Sequence, residues 1–195
     1  MIQHATHPRS LLMDSVNAAD AILNRALACC LDEIPLKNQA ALVECLRQGN
    51  HTANSRYKHN LAQQMAEHLG MCDDDVKVVY IYDHDIEDTH WDEEWSPLIV
   101  HLIVWAQPKT AALNSLIAAL NRALTRCYGD LIGDLPPVHL LDVQVIDDVE
   151  VKNRAGYASL LFSPHFRPLV VWKREPDSHS NAIASPQPRS SPVAP

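Results

Sequence analysis

The densest run of side chains able to do chemistry is Asp83-His84-Asp85-Ile86-Glu87-Asp88-Thr89-His90-Trp91-Asp92-Glu93-Glu94-Trp95. Carboxylates and imidazoles at this density can gather a divalent cation, and carboxylate oxygens alone favour Mg²⁺, Ca²⁺ or Mn²⁺. The spacing is not that of an EF-hand loop, because no glycine stands where the turn would need one. An unbroken acidic block is equally what a solvated loop between two strands looks like. Trp91 and Trp95 place large aromatic surface among the acids, which suits recognition of a partner or pinning of the loop onto a sheet.

Two further positions stand out because they interrupt apolar runs. Asp142 lies in Val-His-Leu-Leu-Asp-Val-Gln-Val-Ile (138–146). Strand alternation puts Leu141, Val143 and Val145 on one face and Leu140, Asp142 and Gln144 on the other. A carboxylate in mid-strand needs solvent, a partner or a metal. His101 interrupts Leu-Ile-Val-His-Leu-Ile-Val-Trp (98–105), where a hydrogen-bonded core or face histidine is the simplest reading. The pair Asp147-Asp148 reads as the N-cap and first turn of a following helix. No GxGxxG, P-loop, GxSxG or HExxH occurs, and nothing selects a Ser-His-Asp triad.

The elements that must position these residues follow from hydrophobic period. Helical spacing covers 12–31, 37–47 and 55–70, with Ser55 as the expected cap of the third helix and 50–55 as a polar loop. That loop is too long for a helix-turn-helix, whose turn is about 3–4 residues. Val-Lys-Val-Val-Tyr-Ile-Tyr (76–82) is rich in β-branched and aromatic residues and reads as a strand. The almost continuously apolar run 98–105 suits a central strand covered on both faces. A helix at 109–128, a strand at 138–146, a helix at 148–161 and a strand at 169–173 complete the order α-α-α-β-β-α-β-α-β. Strands interleaved with helices predict one sheet with helices packed on it, in a single α/β domain over 11–174. Residues 1–10 are expected to be a flexible arm. Residues 175–195, rich in Ser, Pro, Ala and Asn, are expected to be a disordered tail.

Composition bounds the partners. The formal charge is −8 over 195 residues, with 24 acids against 16 bases. Ten of those acids lie between residues 71 and 96 beside one base, Lys77, leaving fourteen acids and fifteen bases elsewhere. A net-acidic chain disfavours nonspecific binding to nucleic acid or to an anionic membrane. No apolar run is long enough for a bilayer span, and the polar N-terminal decapeptide is unlike a signal peptide, so a cytoplasmic setting is expected. The five cysteines, without CxxC spacing, favour neither a disulfide framework nor a zinc site.

From about residue 57 to 174 the order helix, strand, loop, strand, helix, strand, helix, strand resembles the minimal nucleotidyltransferases of the polymerase-β superfamily. The resemblance implies a mixed four-stranded sheet with packed helices, preceded by a helical extension at 11–56. It also implies a phosphate-binding Gly-Ser at the end of the first strand. An Asp-x-Asp on the second strand and an Asp on the third would complete a two-metal site. Here Tyr82-Asp83 stands in place of Gly-Ser and Ile99-Val100-His101 in place of Asp-x-Asp, so only Asp142 matches. What the resemblance implies is therefore a degenerate active site: a non-catalytic binding or regulatory module needing no cofactor. Its partner-facing residues would be Asp83, Asp85, Glu87, Asp88, Trp91 and Trp95, with a protein partner or a second copy as ligand. The alternative is a nucleotidyltransferase or phosphotransferase in which Asp83, Asp85 and Asp142 hold Mg²⁺ or Mn²⁺.

Overall fold

The computed structural model describes residues 8–82, 98–133 and 139–175, with side chains from residue 15 onward. Three helices come first. α1 (Pro8–Glu33) starts earlier than its apolar period predicts, inside the expected N-terminal arm. Its buried stripe is Ala19, Ile22, Leu23, Ala26, Leu27 and Cys30, spaced at the three- and four-residue steps of one helical face. α2 (Gln39–Arg47) is capped by Asn38, whose side chain accepts the Ala41 N–H at 2.9 Å. It ends at Gly49, whose φ of +69° is open to glycine at little cost.

α3 (His51–Cys72) corrects the sequence reading. The expected loop at 50–55 is helix, because Asn50 rather than Ser55 is the cap and accepts the Ala53 N–H at 3.0 Å. The turn between α2 and α3 is thus residues 48–50, as short as that of a helix-turn-helix, so loop length no longer argues against that motif. Packing does: α3 is buried at intervals from Ala53 to Gly70 and serves as a core helix.

The sheet contains β1 (Val76–Ile81), β2 (Val100–Ala106), β3 (Leu141–Ile146) and β4 (Leu169–Lys173), in the order β3-β2-β1-β4. β1 pairs antiparallel with both β2 and β4, while β2 and β3 are parallel and joined through α4 (Ala111–Ile132). The molecule is thus a mixed four-stranded sheet with packed helices. One sheet face carries Val79, Ile81, Val100, Leu102, Val104 and Leu141 into the main core with α1, α3 and α4. α1 lies between α3 and α4, so its stripe is consumed within this chain.

Among the described residues the opposite face is covered only in part. Ile103 and Ile146 pack there against Ala158, with Tyr80, Tyr82, Trp105, Val151, Leu160 and Leu161 around them. β2 is therefore central and buried on both sides, as its apolar run predicts. The cover is α5 (Asp148–Asn153) followed by a 3-10 helix (Gly156–Phe162), not the single helix expected over 148–161. The break falls at Arg154, whose left-handed backbone (φ +51°) turns its N–H back onto the carbonyls of Glu150 and Val151.

Candidate functional site

The partly covered face brings His101 and Asp142 together. β2 and β3 run parallel in a register that sets His101 opposite Asp142 and Ile103 opposite Gln144. His101 Nδ1 lies 3.1 Å from Asp142 Oδ2. Gln144 Nε2 donates to Asp142 Oδ1 at 2.9 Å, and the Tyr82 hydroxyl donates to Oδ2 at 3.5 Å. The rings of Tyr82 and His101 are tilted at 54° with centroids 5.5 Å apart, and Tyr157 of the 3-10 helix flanks Tyr82 at 6.2 Å. Both His101 and Asp142 remain about one-third exposed, so the cluster is open to a ligand.

Alternation explains why these groups meet. Val100, Leu102 and Leu141 point into the helical core, and their neighbours His101 and Asp142 must then face the other way. Two polar side chains at matched positions on adjacent strands satisfy each other in a place where neither could be buried alone. Asp142 is on the edge strand β3, which gives it solvent as well as a partner. The expected face histidine and the expected mid-strand carboxylate are thus one feature.

A second carboxylate on this face has a structural task. Asp148 accepts bonds from Lys77 Nζ at 2.7 and 2.8 Å and from the Trp105 indole N–H at 2.7 Å. These donors hold its carboxyl below the ordinary range. Asp147 caps α5 through a reciprocal box with Glu150, and Lys109 pairs with the Glu150 carboxylate. The predicted cap and first-turn roles of Asp147 and Asp148 are present, and Asp148 additionally ties α5 to β1 and β2.

All five cysteines are free, and burial pushes Cys30 and Cys127 up to about 11. Cys72 lies 3.5 Å from His68 one turn away on α3, which has the outline of a thiol–imidazole pair. Burial raises the thiol and lowers the imidazole, and both shifts disfavour a thiolate–imidazolium pair.

Of the residues singled out from sequence, Asp142 and His101 are brought together. Asp83, Asp85, Glu87, Asp88, Trp91 and Trp95 lie outside the described residues. Among the described residues, no group of three or more His, Cys, Asp or Glu side chains is gathered as a metal site would gather them. Nor is any helix there long and apolar enough to cross a membrane. Sequence reasoning missed Tyr82 and Tyr157 as members of the cluster and Gln144 as the residue that orients the carboxylate. Strand alternation puts Gln144 on the same face as Asp142, the one available signal. Compared with protein-family models, with curated proteins and with solved structures, the chain matches none.

Proposed function

We propose that the protein is a non-catalytic binding or regulatory module built on a nucleotidyltransferase-like fold whose catalytic positions have been replaced. The observation that carries this reading is the register of β2 and β3, in which the partner across from Asp142 is His101. Two-metal phosphoryl transfer needs several carboxylates around both ions. Among the described residues of this cluster Asp142 is the one carboxylate, and Gln144, His101 and Tyr82 already occupy three of its acceptor positions. The exposed face then serves recognition, and the acidic, tryptophan-bearing stretch with Asp83, Asp85, Glu87, Asp88, Trp91 and Trp95 is its partner-facing complement.

One observation favours a second reading, a Mg²⁺- or Mn²⁺-dependent nucleotidyltransferase using Asp83, Asp85 and Asp142. The chain leaves β1 at Tyr82, whose backbone N–H bonds the His101 carbonyl at 3.1 Å and whose hydroxyl reaches Asp142. Asp83 is the next residue in sequence.

Thermal unfolding with Mg²⁺ or Mn²⁺ and a nucleoside triphosphate separates the two. A ligand at about a hundred times its Kd stabilises the native state by roughly 2.7 kcal/mol, which moves the midpoint of a chain this size by about 5–10 °C. The module reading expects no shift. A shift that needs both metal and nucleotide and vanishes in Asp142→Asn would replace it with the enzyme.

A further inference from the structure

We infer that the Tyr82–His101–Asp142–Tyr157 cluster is a site for the guanidinium of an arginine presented by a basic partner peptide. This rests on the binding-module reading and names the chemistry of its partner.

The carboxylates around this face differ in one respect. Asp148 is held by Lys77 and Glu150 by Lys109, so each already has a cation. Asp142 has no Lys or Arg: among the described residues its ion-pair partner is His101, and its other donors are a neutral amide and a phenol. A carboxylate with two oxygens accepts about four hydrogen bonds, and three are in use here. Asp142 is thus preoriented by Gln144 and His101 while keeping capacity for a further donor.

The aromatic groups make guanidinium the matching cation. Tyr82 has His101 and Tyr157 as ring neighbours at 5.5 and 6.2 Å, each ring tilted by just over 50°. Tyr157 is 45 % exposed, so its ring is presented rather than packed away. A guanidinium is planar and weakly hydrated, and it can stack on an aromatic face while its edge donates to a carboxylate. An ammonium is more strongly hydrated and gains less from the rings.

Charge supports a peptide as the source. The chain that leaves the cluster at Tyr82 continues with seven carboxylates and no Lys or Arg through residue 97 (Asp83, Asp85, Glu87, Asp88, Asp92, Glu93 and Glu94). With a net charge of −8, the chain attracts a basic peptide and repels a nucleic acid.

The test is calorimetric titration of the full chain with a short arginine-containing peptide, its lysine and citrulline counterparts, and free methylguanidinium. Saturable binding of the arginine peptide is expected, with citrulline weaker by at least about tenfold because it keeps the shape and loses the charge. Asp142→Asn and Tyr157→Leu should each weaken binding several-fold with the unfolding midpoint nearly unchanged. Asp148→Asn, whose carboxylate is already paired, should leave affinity intact. Absence of saturable binding, or equal affinity for arginine and citrulline, would overturn the site. Methylguanidinium binding as tightly as the peptide would overturn the peptide source. Tight binding indifferent to Asp142→Asn would also remove this site while leaving the module reading standing. That reading falls separately, to a metal-and-nucleotide shift.

Discussion

Asp142 and Asp148 project from neighbouring elements onto one side of the sheet, and the donors around them give them opposite tasks. Asp142 faces an amide, an imidazole and a phenol, a set that orients the carboxylate. Asp148 faces an ammonium and an indole N–H that stabilise its charged form. Its folded pKa is therefore depressed from the ordinary 3.8. Such a group lends stability above its unfolded pKa, and the contribution is lost as pH falls through the lower folded value. Urea denaturation between pH 6 and pH 2.5 should show wild type losing stability below about pH 4, and Asp148→Asn should flatten part of that limb. An identical slope in both proteins would show that the Lys77 and Trp105 contacts do not discriminate between the two protonation states. At this scale the sequence was half legible. His101 and Asp142 each announce themselves by interrupting apolar strands. Their pairing does not, because the register of two strands joined through a 22-residue helix is decided by how that helix packs. Tyr82 and Tyr157 give no local signal, since tyrosine on a strand or surface helix is ordinary.

The elements were legible where caps and periods agree and not where one local interaction overrides the pattern. All four strands lie within or against the expected runs, and β2 has the two-sided burial that its composition demands. The start of α3 was misplaced because Asn50 and Ser55 are both good caps, and only the Asn50 bond to Ala53 settles which one acts. Asn50→Ala should cost about 1 kcal/mol, read as a lower urea midpoint, whereas Ser55→Ala should cost little. The end of α3 depends on close approach instead. A methyl at Gly70 would sit 2.2 Å from the Trp172 ring, which packs from β4 across the helix. Gly70→Ala should therefore destabilise by about 1–3 kcal/mol through overpacking. The cost should shrink when combined with Trp172→Leu, because the two positions share one contact. A fully additive double variant would mean that the helix–strand contact is looser than described. Arg174 locks the same junction, donating to the carbonyls of Gly70, Asp73 and Val76. The junction is a fixed hinge post for β1 and β4, not part of the binding face.

For the whole molecule, the decisive question is whether the N-terminal helices are an appendage on an α/β core or a part of it. A minimal nucleotidyltransferase-like plan, as expected from the order of elements, would place the core at 57–174 and leave 11–56 as an extension. In the structure Ile22, Leu23 and Leu27 of α1 are at most 4 % exposed, and they fill the space between α3 and α4. Burying three such side chains contributes about 5–9 kcal/mol, which is comparable with the entire stability of a typical domain at about 5–15 kcal/mol. Removing α1 would also bare the partners that it covers. Tyr57, fully buried and stacked on Tyr128, stands in the same core, where burial raises both phenols and pushes Tyr128 up to about 12. A chain starting at residue 34 is therefore expected to lose its cooperative thermal transition and to bind a hydrophobic dye, the behaviour of a collapsed but unpacked state. If residues 34–195 instead melt cooperatively near the wild-type midpoint, the sheet is self-sufficient and α1 is an extension after all. Its apolar stripe would then be free to meet a second copy. With α1 in place that stripe is spent internally, so any association of copies must use another surface. The less covered face of the sheet, where among the described residues no Lys or Arg pairs with Asp142, is where the structure leaves room for one.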